Sequence, residues 1–322
     1  MRIGIVGAGN ISGTHARAAR GIPGLTVAAI YGENRERAAR LASEHGAAAF
    51  DDFDRFLTHP LDLVAIGSPS GLHAEQGIAA AQRGLHILVE KPIDVTVERA
   101  DALIAATDAA GVRLGVFFQD RLRPEVRRLK RMLDAGDLGA PVMISGRVKW
   151  YRPPEYYANS RWRGTWALDG GGALMNQGIH TVDLIQWFFG PVARVQGSVA
   201  TRLHDIEVED TAAAVLEFTS GALGVIEAAT SIHPGYARRL EVTGTKGTVV
   251  LEDSNPSGTS PVVADASGHQ HVLEDFIRAI QTGASPACDG REARKSVEIV
   301  TAIYAAAGQT SNLEPRTSNL EP

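Results

Sequence analysis

Arg2-Ile3-Gly4-Ile5-Val6-Gly7-Ala8-Gly9-Asn10-Ile11-Ser12 opens the chain with a short apolar run that passes straight into glycine-spaced residues, and this stretch decides the fold. A strand entering such a loop can turn tightly at the first glycine and bring its backbone close to a ligand at the second. Ser12 stands where the G-x-G-x-x-G pattern has its third glycine, and a helix-forming segment follows. The first N–H groups of a helix have no partners within it, so they are suited to hold a pyrophosphate. Gly7, Gly9, Asn10 and Ile11 are therefore the candidate dinucleotide contacts of the loop.

Short apolar runs recur at Leu25 to Ile30, Leu63 to Ile66, His86 to Val89 and Val112 to Phe118, most of them followed by an alanine-rich amphipathic segment. Buried strands alternating with helices make parallel crossover units. The expected N-terminal domain, residues 1–120, is a Rossmann doubly wound parallel sheet binding NAD or NADP. The pattern then changes. A helix over Arg123 to Ala135 and a strand over Val142 to Trp150 lead into an aromatic, polar loop ending at Asp169. Gly170-Gly171-Gly172 precedes a helix-period run from Ala173 to Phe189, and strands follow one another from Val192 to Leu251. Strands joined directly by turns predict a C-terminal α+β domain, residues 121–309, with an open-faced, mainly antiparallel sheet. Helical stretches at Gln270 to Gln281 and Gly290 to Ala307 are expected to return to the first domain or to pack between the two. Residues 310–322 repeat Thr-Ser-Asn-Leu-Glu-Pro and read as a tail without chemistry.

Composition narrows the function. Lys and Arg number 32 against 37 Asp and Glu, with no block of like charge, which argues against a nucleic-acid partner. No apolar stretch approaches the roughly 18 residues that span a bilayer, and the N-terminus lacks leader features, so a cytoplasmic protein is expected. A single cysteine, Cys288, leaves no intrachain disulfide and no cysteine-based zinc cluster, and no metal is expected.

Further cofactor contacts follow from the strand ends. The fingerprint places an acid after the second strand to bind the adenosine ribose. Here Gly32 occupies that place, Glu33 comes one residue later, and Arg35 or Arg37 could reach a 2'-phosphate. NAD and NADP both remain open, with a lean toward NAD through Glu33. Ser68, Pro69 and His73 follow the third buried run and should border the nicotinamide ribose, although His73 could equally cap its helix. Glu90-Lys91-Pro92 follows His86 to Val89 and places a lysine where a nicotinamide would lie.

Oxidation of a secondary alcohol removes a proton from oxygen and a hydride from carbon, so a site needs a base and a cation near the developing alkoxide. His180 and Lys91 supply these groups: an imidazole has an unperturbed pKa of about 6.5, close to working pH. Asn176 and His180 are spaced i and i+4, so a helix would present both on one face.

These residues resemble the glucose-fructose oxidoreductase, inositol dehydrogenase and MocA family over nearly the whole chain. The resemblance rests on Gly7-x-Gly9, Ser68-Pro69-x-x-x-His73, Glu90-Lys91-Pro92, Gly170-Gly171-Gly172-x-x-x-Asn176-x-x-x-His180-x-x-Asp183 and Gly290-Arg291-Glu292-Ala293. It implies NAD(P)-linked oxidation or reduction of a sugar or cyclitol hydroxyl, and a homodimer or homotetramer formed through the C-terminal sheet. The segment Tyr156 to Trp166, followed by Asp169 to Gln177, is similar to the branch that oxidises C3 of UDP-N-acetylglucosaminuronate. On that resemblance Tyr157, Arg161, Asn176 and Gln177 are substrate candidates, and Trp162 and Arg163 contact the cofactor. Guanidinium forks match carboxylates and phosphates, so Arg161 and Arg163 suit a charged sugar nucleotide. Asn176 departs from the inositol dehydrogenases, which carry Asp there. It is assigned to orienting the hydroxyl, and Asp183 either orients the imidazole or serves structure. Two other functions fit the same fold: a glycosidase that retains NAD and oxidises C3 transiently, and a dinucleotide-binding regulator without chemistry. The regulator is expected to lack Lys91 or His180, and both are present.

Overall fold

The computed structural model describes residues 1–253 and 265–309. In chain order the elements are β1 (Arg2–Val6), α1 (Asn10–Arg20), β2 (Thr26–Tyr31), α2 (Arg35–His45), β3 (Ala48–Phe50), α3 (Phe53–Leu57), β4 (Leu63–Ile66), α4 (His73–Ala81), β5 (His86–Val89), α5 (Val97–Ala110), β6 (Leu114–Val116) and α6 (Pro124–Asp134). They continue with β7 (Pro141–Lys149), α7 (Glu155–Ala158), a π-helical turn (Ala173–Gly178), α8 (Ile179–Phe189), β8 (Val192–Ala200), β9 (Thr211–Phe218), β10 (Leu223–Ala229), β11 (Arg239–Gly244), β12 (Gly247–Glu252), α9 (Ser267–Thr282) and α10 (Gly290–Ala306). The repeated tail from Thr310 lies outside the described residues.

The chain forms two compact units, residues 1–129 with 260–295 and residues 130–259 with 296–322, as far as these are described. The sequence reading cuts once near residue 120 and expects the late helical stretches to return to the first domain or to pack between the two; residues 265–295 belong to the first unit. The physical reason is α9, whose Val272, Leu273 and Phe276 join Ile3, Ile5, Leu63, Leu88 and Phe117 in one buried core. Burying a side chain of that size contributes about 1.5–3 kcal/mol, enough to make the return of the chain part of the unit.

In the first unit six parallel strands run in the order β3-β2-β1-β4-β5-β6. The order reverses between β1 and β4, and ligands of open parallel sheets gather at the carboxyl ends of the strands where this happens. Strands β1 and β4 are almost wholly buried because helices cover both faces, which explains their unbroken apolar sequences. Helices α2, α3 and α5 begin with side-chain caps from Asn34, Asp52 and Thr96. Helix α1 begins at Gly9 with no side-chain cap.

In the second unit the sheet order is β12-β11-β7-β10-β9-β8. Only β7 and β10 pair in parallel; the other neighbours are antiparallel, as the turn-linked sequence predicts. Helix α8 packs on β7, where a Cβ on Gly146 would come within 2.4 Å of Thr181. On the other face, in register across the strands, stand Met143, Leu223, Val225, Val215 and Val250 among charged residues such as Glu217 and Glu241. Met143, Val215, Leu223 and Val250 are exposed.

Candidate active site

The turn after β1 is shaped by its glycines. Gly7 has φ 107°, a left-handed conformation that L side chains avoid, and a Cβ there would lie 2.8 Å from the carbonyl oxygen of Gly67. Around Gly9 a Cβ would meet nothing within 4 Å, so the start of α1 opens outward. Ser12 is fully buried, and its hydroxyl has no hydrogen-bond partner among the described residues. An uncapped helix start with an orphaned hydroxyl beside it fits the pyrophosphate of a dinucleotide. Gly32 packs against this turn, with a Cβ at 32 falling 2.7 Å from that of Ala8, which is why no acid stands at that position. Glu33 and Arg37 are exposed beyond it, and the Arg37 backbone N–H is spent on the cap from Asn34.

The other candidates of the first unit divide into those at the strand ends and those turned inward. Ser68 donates its hydroxyl to Gln76 at 2.6 Å. His73 is turned inward: it is 1 % exposed, with one ring nitrogen 2.8 Å from the carbonyl of Pro92 and the other 3.0 Å from that of Ser68. It braces the loops after β4 and β5 against each other. The helix it opens is steadied by Asp94, which accepts the backbone N–H of Ala74. Glu90, also a cofactor candidate, turns its side chain inward as well. Its carboxylate is buried, with one oxygen at hydrogen-bond distance from His15 and His269 and the other accepting the Lys91 N–H. Lys91 is half-buried just past β5, between these two anchored neighbours.

The second unit presents its candidates on the turn after the three glycines. From Gly171 to Phe189 only Asn176, His180 and Trp187 escape burial. The sequence reading has an α-helix through this whole run. The structure instead has a π-helical turn from Ala173 to Gly178 and an α-helix only from Ile179. Such turns recur at functional sites because they re-aim a side chain without ending the helix. Asn176 donates from Nδ2 to Asp169 at 2.6 Å and accepts at Oδ1 from Gln177 at 3.0 Å. Gln177 also donates to the Tyr156 hydroxyl at 3.0 Å and accepts from Arg152 at 2.9 Å. Asp169 accepts the Gly164 N–H in turn, so the amide of Asn176 is oriented by a chain of bonds reaching into the aromatic loop.

Tyr157, a substrate candidate, is turned inward. It is buried, its hydroxyl pairs with Thr230 at 2.9 Å, and burial pushes its phenol pKa up. Its neighbour Tyr156 is half-buried, with the Arg163 guanidinium 4.3 Å and the Arg152 guanidinium 5.3 Å from its ring centre. Sequence reasoning missed Tyr156 and Arg152. The signal for Tyr156 is that a one-turn helix cannot bury two consecutive tyrosines on the same side; nothing in the sequence singles out Arg152. Arg161 is exposed on the same loop, and Trp162 and Arg163 are half-buried. Asp183 is fully buried and accepts from the Ser296 hydroxyl at 3.2 Å.

Gly172, the last glycine before the π-helical turn, is explained by Glu209. Its carboxylate accepts the Gly172 and Leu174 N–H groups and the Tyr304 hydroxyl, and its backbone carbonyl accepts from Ala173. A Cβ on Gly172 would lie 1.8 Å from that carbonyl oxygen. Burial pushes the carboxyl up to about 7 in spite of these donors.

Residues 1–118 match the oxidoreductase family with NAD-binding Rossmann fold, and residues 126–250 match the GFO/IDH/MocA C-terminal domain. The rhizopine catabolism protein MocA of Rhizobium meliloti is 30 % identical over 307 residues, covering 94 % of this chain and 93 % of the relative. Myo-inositol 2-dehydrogenase of Thermotoga maritima is 27 % identical, with 100 % and 99 % covered. Among solved structures, the WlbA dehydrogenase of Bordetella pertussis, in complex with NADH and UDP-GlcNAcA, superposes with a TM-score of 0.89 at 33 % identity, covering 96 % of each chain. With both family domains matched in order and MocA aligned over nearly its whole length, the chain belongs to the GFO/IDH/MocA family of NAD(P)-dependent oxidoreductases.

Proposed function

We propose that the protein moves a hydride between NAD(P) and a secondary hydroxyl, C3, of a sugar or sugar nucleotide. The observation that carries this reading is the exposure of Asn176 and His180 on an otherwise buried turn, in a chain that also ends β5 with Lys91. When bound, the dinucleotide takes up or returns the hydride; the residues of this chain handle the proton and the orientation. The ammonium of Lys91 stabilises the alkoxide that develops on the substrate, an electrostatic effect typically worth about 3 kcal/mol or more. His180 exchanges the hydroxyl proton, and Asn176, fixed by Asp169 and Gln177, orients that hydroxyl. Arg161 and Arg163 meet a carboxylate or phosphate of the substrate. The likeness to a dehydrogenase solved with UDP-GlcNAcA supports a sugar nucleotide as substrate.

The test is mass spectrometry of the copurifying dinucleotide, followed by absorbance at the reduced-nicotinamide band with sugars, uronates and UDP-sugars. Reduction by a UDP-uronate is expected. Release of an aglycone from glycosides without net reduction would replace this reading with the NAD-retaining glycosidase.

Glu33 favours NAD in this reading, since its carboxylate would face the 2'-phosphate of NADP. Glu33→Ala is expected to raise the NADP-to-NAD ratio of kcat/KM by about tenfold, the effect of removing about 1.4 kcal/mol of like-charge repulsion. An unchanged ratio would remove Glu33 from cofactor choice.

The exposed apolar residues on the open face of the second sheet support a homodimer or homotetramer formed through it. Leu223→Arg is expected to lower the mass measured by light scattering to that of a smaller assembly. A monomeric parent protein would overturn the assignment.

A further inference from the structure

Glu90 immediately precedes Lys91, and its carboxylate is turned into the protein. Oε1 lies 3.0 Å from His15 Nε2 and 3.3 Å from His269 Nε2, while Oε2 accepts the Lys91 backbone N–H at 3.1 Å. All three side chains are buried. Burial alone would raise the Glu90 pKa, but the hydrogen bonds from His15 and His269 hold it well below the usual carboxylate range. His15 Nδ1 is buried with no partner among the described residues. A protonated ring would leave an unpaired donor there, so the neutral Nε2–H form fits, and burial draws its pKa down accordingly.

His15 has little freedom to move. Its ring stacks on Phe117 at 4.4 Å and 9°, and a Cβ on Gly67 would lie 3.0 Å from its Cε1. The Phe117 N–H bonds to the carbonyl of Val89, so the same residue holds both the imidazole and the end of β5. On the far side of Lys91, His73 holds the carbonyl of Pro92. An ionised carboxylate in a protein interior is costly unless fully bonded, and an apolar residue would fill the space more cheaply. Here the buried charge sits on the residue adjoining the lysine.

We infer that His15 and His269 are positioning residues for Lys91: they clamp one oxygen of Glu90 so that its other oxygen fixes the lysine's backbone N–H. Through His15 the clamp joins the Lys91 loop to α1, the helix that starts at the glycine loop. Through His269 it draws on α9, the helix that returns to the first unit late in the chain. The same three side chains have potential ligand atoms within 4.8 Å of one another, the spacing of a metal site. The clamp is favoured over a metal because His15 Nε2 and Glu90 Oε1 stand at a direct hydrogen-bond distance of 3.0 Å, closer than the roughly 3.3 Å kept by two ligands of a tetrahedral zinc with bonds of about 2.0 Å.

This inference rests on Lys91 as a residue of the reaction, so its test includes a readout that needs no turnover. In the full-length protein, hydrogen exchange at the Lys91 amide is compared in the parent, His269→Leu, His269→Gln and Glu90→Gln, beside kcat, KM, dinucleotide Kd and metal content. His269→Leu is expected to speed exchange at Lys91 and to lower kcat by about tenfold, with KM and Kd within about twofold. His269→Gln retains a donor and is expected to restore both. Glu90→Gln keeps an acceptor for the imidazoles but turns an NH2 toward the Lys91 N–H, so it is expected to speed exchange with the clamp residues in place. The positioning role is overturned by unchanged exchange in both His269→Leu and Glu90→Gln, or by His269→Gln behaving like His269→Leu. A zinc content of one per chain would also overturn it. Should the parent turn over no sugar, the exchange results still decide the clamp, and only the reading of the reaction falls.

Discussion

Lys91→Ala is expected to lower turnover by about 10²–10³-fold or more while leaving dinucleotide affinity within a few-fold, as measured by nicotinamide fluorescence on titration. The asymmetry follows from where the contacts lie. The groups that fit a pyrophosphate are the backbone of the turn at Gly7 and Gly9, the uncapped start of α1 and the buried Ser12 hydroxyl, and none of these depends on the lysine side chain. An ammonium beside the reacting oxygen contributes little to the neutral alcohol and much to an alkoxide, so its removal should appear in kcat more than in KM. Glu90 and Pro92 are anchored by buried histidines through the Glu90 carboxylate and the Pro92 backbone carbonyl, so truncating Lys91 should leave the loop in place. Turnover retained within tenfold would remove Lys91 from the reaction.

The fold was legible because its evidence is local. A strand running into Gly7 and Gly9, buried apolar runs spaced by helices, and turn-linked strands after Val192 each carry their own periodicity. The strand order then follows from the handedness of crossover connections. Lys91, Asn176 and His180 stand out as candidates for a similar reason, since each sits at a fixed place relative to a strand end or a glycine run. What escaped was set by contacts distant in sequence. Glu90 reads as a cofactor contact beside Lys91, and only the fold brings His15 and His269 to it from α1 and α9. His73 reads as a site residue, and only the fold places its two ring nitrogens near the carbonyls of Pro92 and Ser68. Tyr156 and Tyr157 differ by one position, and which of them is buried depends on Thr230 and His204 being beneath the loop. Asn176 and His180 were paired on helical spacing, whereas the π-helical turn changes the geometry by which Asn176 reaches Asp169 and Gln177.

Glu209 is expected to make stability depend on pH between about 4.5 and about 7, with the sign opposite to that of a salt-bridged carboxylate. Its pKa rises from 4.5 in the unfolded chain to about 7 in the folded one, so within this window the folded protein binds more protons and stability falls as pH rises. The loss amounts to on the order of 3 kcal/mol and is complete above the folded pKa. The cause is burial, which the N–H groups of Gly172 and Leu174 and the hydroxyl of Tyr304 offset only in part. When Glu209 is protonated the Tyr304 hydroxyl can reverse and accept, leaving the backbone donors to share the remaining acceptor capacity. Burial draws His15 and His73 below their ordinary range, and they act in the opposite sense as pH rises toward about 6.5. The parent's own pH profile therefore mixes several groups. Glu209→Gln isolates one of them, because the amide resembles the protonated acid and does not titrate. The stability of the parent minus that of Glu209→Gln, from denaturant curves at pH 5, 6, 7 and 8, is expected to fall steadily up to neutrality and then level off. A difference that stays constant across this range would mean that Glu209 is ionised throughout, and that the glycine turn carrying Asn176 rests on a permanent buried charge.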